Sequence, residues 1–240
     1  MSYLSFINDD DLVLYTKKIL DCAISSIPKA ESQFNKNVVD PFSAMFEMSA
    51  YELDFDRWKQ NETLRKAQKT ISNALGDFHQ NLLGSFSGWR NLGVGEVVDL
   101  ECLDRKIIAE VKNKFNTVKG SNLKDIYHSL EDLICPRASK YHDFTAFYVE
   151  LIPKKAERFD RIFVPSDNTK GGRKCEPNMK IRVIDGVSFY DLASGTSGAL
   201  AEVFKVLPSV IAEISTSSGQ ELSESSITSL SELFQKAFPN

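Results

Sequence analysis

Asp99, Glu110 and Lys112 are the residues of this chain whose types and spacing are best suited to chemistry. They lie in two runs of strand-forming residues, 97–103 and 107–112, around the polar break Asp104-Arg105-Lys106. With Asp104 and Arg105 as a two-residue loop, residues that face each other across the hairpin have numbers summing to 209, which sets Asp99 opposite Glu110. Opposed side chains share a face, with Cβ atoms about 4.5–5.5 Å apart. Lys112 lies two residues past Glu110, on the same face about 7 Å along the strand. Two adjacent carboxylates repel, and one pKa rises unless a cation sits between them. Mg²⁺ suits such a pair, because it takes one or two carboxylates and keeps positions for water and phosphate. A nearby ammonium can then orient a nucleophile or stabilise developing charge, and the chemistry implied is phosphodiester hydrolysis.

The bare spacing D-x₁₀-E-x-K is short, and carboxylates near a lysine on a strand more often form a solvated salt bridge. What sets this instance apart is its surroundings. Val98, Leu100, Ile108, Ala109 and Val111 are apolar, as in strands whose other face is buried. A polar segment follows at once, in which Lys114, Asn116, Thr117 and Lys119 offer donors to phosphate. Glu101 shares the face of Asp99 and is an accessory candidate at the metal. Asp-Arg is a poor pair for a tight hairpin turn, which favours positive φ at both central positions.

The elements that must hold this hairpin follow from periodicity. Leu12, Tyr15, Ile19, Cys22 and Ala23 predict a helix over 9–27, ended by Pro28. Asp40-Pro41 opens a second helix, with Phe42, Met45, Phe46 and Met48 as core candidates. Asn61 is placed to cap a third, which runs to about Leu83. After the hairpin, Ser121 or Asn122 opens a helix whose apolar side is Leu123, Ile126, Tyr127, Leu130, Leu133 and Ile134. Phe144–Ile152 reads as a buried strand, with shorter strands at 161–164 and 180–184 and a polar loop over 166–178 between those two. Helices are expected over 199–214, despite Pro208, and over 227–238. The order implies one α/β domain over 1–240: a helical portion at 1–90, a catalytic sheet core at 96–190 and C-terminal helices at 198–240.

Composition narrows the class. The chain has 240 residues, a formal charge of −4 and a hydrophobic fraction of 42%, as in ordinary soluble domains. Positive charge is concentrated locally: 105–124 carries six Lys or Arg against Glu110, and 154–182 carries nine against four acids. Such stripes fit a surface that touches phosphate. No run approaches the length of a membrane span, and the N-terminus, with Asp9, Asp10 and Asp11, does not read as a signal peptide. Cys22, Cys102, Cys135 and Cys175 are widely spaced and read as reduced thiols, so a cytoplasmic protein is expected. His128 and His142 have no metal-ligand spacing, and no G-x-x-x-x-G-K-[ST] loop exists, so no nucleotide cofactor is implied.

Val98-Asp99 followed by Glu110-Val111-Lys112 resembles the PD-(D/E)-x-K motif of a nuclease superfamily, with Val in place of the first Pro. The run GEVVDLECLDRKIIAEVKNKFNTVKGSNL, the preceding QKTISNALGDFHQNLLGSFSGW, and the segments FINDDDL and DPFSAMFEM are similar to type II restriction endonucleases that recognise GGNCC sites. The resemblance covers most of the chain. It implies a restriction-endonuclease-like mixed sheet flanked by helices, Mg²⁺ dependence, double-stranded DNA as substrate and a homodimer on a palindromic site. It also implies that a polar residue on the helix before the hairpin, His79 or Gln80, serves the metal or the phosphate. Lys170, Arg173 and Lys174 lie in a glycine-containing loop suited to a DNA groove, where Arg and Lys pair with guanine. A repair or recombination nuclease of the same superfamily, or an inactive DNA-binding module, are the alternative readings.

Overall fold

The computed structural model describes residues 2–36, 38–93, 95–167, 173–215 and 222–238. The chain forms two compact units: Met1–Tyr15 with His79–Asn240, and Thr16–Phe78.

The larger unit is built on a mixed six-stranded sheet in the order β1-β2-β3-β4-β8-β5. Its strands are β1 (Arg90–Asn91), β2 (Leu100–Cys102), β3 (Ile107–Lys114), β4 (Thr145–Ile152), β5 (Asp160–Ile162) and β8 (Ile181–Asp185). β3, β4 and β8 run parallel in the centre, and antiparallel strands close both edges. This is the mixed sheet flanked by helices of a restriction-endonuclease-like fold. A separate pair, β6 (Ser166–Asp167) and β7 (Arg173–Lys174), lies within the stretch expected to be loop.

The hairpin register is the one the sequence implied: Leu100 pairs with Ala109, Glu101 with Ile108 and Cys102 with Ile107, each pair summing to 209. The N–H of Lys106 donates to the Leu103 carbonyl at 3.1 Å across Asp104 and Arg105. The awkward Asp-Arg pair is accommodated because the positive φ, 51°, falls on Lys106 instead. β2 is shorter than the expected 97–103, since the regular ladder begins only at Leu100.

Alternation along the central strands gives the sheet two buried faces. On one, Ile108, Ala146, Tyr148, Ile181 and Val183 pack with Tyr127, Leu130 and Ile134 of helix α4 (Leu123–Ile134). On the other lies α5 (Gly186–Ser194), where Phe189 meets Phe147 and Trp89 with ring centroids 6.0 and 5.4 Å apart. α5 is absent from the periodicity reading. Asp185 caps it by accepting from the Ser188 N–H at 2.9 Å, and Gly195 ends it at φ 70°. Gly186 is required there, because a Cβ would stand 2.3 Å from the Leu151 carbonyl oxygen. Helix α6 (Ala199–Ser215) passes through Pro208 as expected, and α7 (Glu224–Ala237) follows.

The smaller unit is helical. Helix α1 (Asp9–Gln33) does not stop at Pro28. Burial of Ala30, and of Phe34 just beyond the helix, rewards its continuation, and the carbonyl that loses its donor belongs to exposed Ile24. Helix α3 (Phe55–Gly84) starts before Asn61, because Asp54 accepts from the Arg57 N–H at 2.8 Å and caps it. Trp58 packs edge-on to Phe34 at 6.2 Å and donates to Glu47 at 3.0 Å. Helix α2 (Pro41–Ala50) departs most from expectation: Phe42, Met45 and Phe46 are exposed, and none of its residues is buried. Among the described residues, no helix is long and apolar enough to cross a membrane.

Candidate active site

β3 places Glu110 and Lys112 on the sheet face that α4 covers, as the period-2 alternation of a strand requires. Their side chains meet, with Lys112 Nζ 2.5 Å from Glu110 Oε1. Asp99 stands just before β2. Its N–H donates to the Ala109 carbonyl at 3.0 Å, and its Oδ2 accepts from the Val111 N–H at 2.7 Å. The Asp99 carboxylate is thereby anchored to β3, within hydrogen-bond reach of Glu110. Burial lifts the Glu110 pKa above the ordinary range, the Asp99 charge lifts it further, and Lys112 opposes both.

Glu110 and Lys112 border a cleft of about 350 Å³, lined with them by Val97 on one side and by Val118, Asn122, Asp125 and Ile126 on the other. α4 supplies the second wall because its apolar face is turned to the sheet, which brings its first turn over the end of β3.

Two further groups occupy the same face, both missed in the sequence reading. Glu150 of β4 pairs with Lys112 across the parallel ladder, and Tyr148 pairs with Glu110. The Glu150 carboxyl pKa is raised by burial and pulled back by Arg161. The Tyr148 hydroxyl is buried without a hydrogen-bond partner among the described residues, and burial with the Glu150 and Glu110 charges pushes its pKa up. A charged residue inside the otherwise apolar run Phe144–Ile152 was the available signal for Glu150.

The donor set fits a hard divalent cation. Two carboxylates converge against their mutual repulsion, in a half-buried place where a cation would relieve both the repulsion and the desolvation. The Tyr148 hydroxyl leaves one more oxygen open beside them. Asp99 and Glu110 are the residues that would hold such an ion.

The profile of the Eco47II restriction endonuclease family matches residues 4–216. The chain belongs to that family. Proteins similar to it include the type II restriction enzyme Eco47II of Escherichia coli, 43% identical over 211 residues, covering 88% of this chain and 87% of that one. Another is the type II restriction enzyme Sau96I of Staphylococcus aureus, 31% identical over an alignment of 248 residues, covering 99% of this chain and 90% of that one. The match takes in the hairpin, α4 and the whole central sheet, so the cleft lies within the matched residues.

The other candidates are placed as follows. His79 Nδ1 lies 2.7 Å from the Tyr190 hydroxyl of α5, the two rings meeting edge to face, and burial lowers the His79 pKa to about 4. Gln80 is half-buried on α3. Glu101 shares the sheet face, as expected, but is fully buried, and its carboxylate is engaged by Arg90, by Lys140 and by the Tyr141 hydroxyl at 2.6 Å. Lys114, at the end of β3, and Asn116, Thr117 and Lys119 beyond it are exposed. Thr117 turns the chain there by donating twice, from N–H and hydroxyl, to the Lys114 carbonyl. Arg173 and Lys174 are exposed on β7, while Lys170 lies outside the described residues. The β6–β7 pair is tied to α4 by Lys124, whose Nζ is 3.4 Å from the buried Asp167.

Proposed function

We propose that this family member hydrolyses phosphodiester bonds of double-stranded DNA at a short palindromic site of the GGNCC kind. Its cutting centre is Asp99, Glu110 and Lys112, its metal is Mg²⁺, and it acts as a homodimer in the cytoplasm. The observation that carries this reading is the meeting of Glu110 and Lys112 at the edge of a cleft, with the Asp99 carboxylate anchored on the same strand by the Val111 N–H. The names of Eco47II and Sau96I support the restriction activity.

A divalent ion held by Asp99 and Glu110 supplies Lewis acidity toward water and a phosphate oxygen. The Val111 N–H holds the Asp99 carboxylate in place, so little reorganisation is left for the reaction itself. Lys112 balances the carboxylates in the resting site and, with DNA present, turns its ammonium to the charge that grows on the phosphate oxygens. Lys114, Asn116, Thr117 and Lys119 follow Lys112 closely in the chain and are exposed donors of the kind that bind phosphates without reading sequence. Arg173 and Lys174 read guanine in this proposal, a role supported by their exposure on β7 and by the Lys124–Asp167 pair that ties β6 and β7 to α4.

Digestion of phage DNA by the purified protein tests this. Discrete fragments with Mg²⁺ and none with chelator are expected. A smear would favour the repair or recombination reading, and no cutting under any divalent metal would favour an inactive DNA-binding module.

A further inference from the structure

Helix α2 reads as core in the sequence yet contributes nothing to the core in the fold. Phe42, Met45, Phe46, Tyr51 and Phe55 keep between 56% and 71% of their surface exposed, and Val38 beside them is fully exposed. Taking about 200 Å² for a fully exposed aromatic side chain, this patch presents about 800 Å² of apolar surface. A soluble monomer rarely carries so large a patch. It matches one partner's share of a standard dimer interface, also about 800 Å².

We propose that this patch is the surface through which two copies of the chain associate. The inference deepens the homodimer of the proposed function and rests on it for its symmetry. A palindromic duplex has a two-fold axis, and a two-fold interface must be complementary to itself. The patch meets that condition in shape, because it carries both a knob and a hole. Phe42 and Phe46 stand out from α2, and beside them lies an apolar groove of about 500 Å³ lined by Phe34, Val39, Ala44, Met48, Phe55 and Trp58.

Helix α2 itself meets the condition in charge as well, the exposed acids Asp40, Glu52 and Asp54 lying outside it. Near a two-fold axis every charge faces its own copy, so free charges there repel. α2 contains a single charged residue, Glu47, whose carboxylate is already engaged by the Trp58 indole N–H and the Ser43 hydroxyl, each at 3.0 Å. The helix has no Lys or Arg, which disfavours DNA or an anionic lipid surface as the occupant.

Sedimentation of the full chain without DNA, over a dilution series, tests the proposal. The wild type should sediment as a dimer. Phe42→Asp/Phe46→Asp and Met45→Arg should each weaken association by about 30-fold or more, as loss of central anchors does. Hydrogen exchange on the wild type decides the matter if a variant fails to fold: amides over 38–55 should gain protection as the dimer forms. A wild type that stays monomeric, folded variants that associate as tightly as it does, or unchanged exchange over 38–55 would overturn the proposal. Because no DNA is present, a dimer lost in both variants supports the interface even if the protein cuts nothing. Conversely, a cutting enzyme whose folded variants remain dimeric refutes the interface alone.

Discussion

Removing the ammonium at Lys112 separates the two jobs assigned to it. In the resting site Lys112 holds Glu110 at 2.5 Å, with both side chains largely buried. Without it, Glu110 keeps its burial and the adjacent Asp99 charge, so its pKa moves further up. A charge-assisted hydrogen bond contributes roughly 1.5–3 kcal/mol, and partial exposure of the pair reduces that to about 1–2 kcal/mol. Metal-free Lys112→Ala should therefore melt about 2–8 °C below the wild type, given about 2–4 °C per kcal/mol for a chain of this size. Saturating Mg²⁺ should narrow the gap, since the ion takes over the neutralisation of Glu110. The chemical step should slow by about 10²–10³-fold, the usual cost of one preorganised charge-stabilising donor. Cognate binding with Ca²⁺ should stay close to that of the wild type, because the lost interaction belongs to the transition state. Melting curves with and without Mg²⁺, single-turnover cleavage and anisotropy titrations measure the three quantities. A normal single-turnover rate would refute the role given to Lys112, whatever the melting curves show.

Three further outcomes are expected. Ca²⁺ should support cognate binding without cutting, because it accepts oxygen ligands in looser geometry; gel shifts no tighter with Ca²⁺ than with chelator would count against an ion at Asp99 and Glu110. Arg173→Ala should cost about 1–3 kcal/mol on a GGNCC duplex and much less on random DNA, whereas equal losses on both, with a shallower salt slope, would make Arg173 a phosphate contact. The His79 imidazole protonates near pH 6.5 when unfolded but only near pH 4 when folded. The unfolded state therefore binds more protons between these values, and stability should fall as pH drops through that window. Acidification from pH 7 to 5 should cost about 2 kcal/mol through this residue, and His79→Gln should remove that share from urea melts at the two pH values.

The parts of the fold legible in the sequence are those that local signals fix. The hairpin register followed from centring the turn on Asp104 and Arg105, which fixes every pair across the two strands. α4 was legible because its apolar residues form one stripe. Helix ends were harder: Asp54 and Asn61 are both good caps, and only packing around Trp58 selects the earlier one. Pro28 reads as a stop, yet its cost is met where the orphaned carbonyl belongs to an exposed residue and burial beyond the proline rewards the helix. α5 escaped notice because it is only nine residues long, five of them buried, and follows the apolar strand β8 without a break. At the site, Asp99, Glu110 and Lys112 were local in sequence and so could be paired on paper. Glu150 and Tyr148 come from a distant strand, and only the parallel register of β3 and β4 brings them beside Lys112 and Glu110. Helix α2 taught the opposite lesson, since periodicity marks a face for burial without saying which chain buries it.

The claim on which the account rests is that the Asp99–Glu110 pair performs the cutting, and single-turnover cleavage by Glu110→Gln tests it most directly. The substitution preserves shape and removes only the charge. On a GGNCC duplex with Mg²⁺, at enzyme concentrations where both proteins saturate the DNA, the variant should cut at least about 10³-fold more slowly, a barrier increase of about 4 kcal/mol. A Glu110→Gln enzyme that cuts within tenfold of the wild type would contradict the account and move the search for the cutting centre elsewhere in the chain.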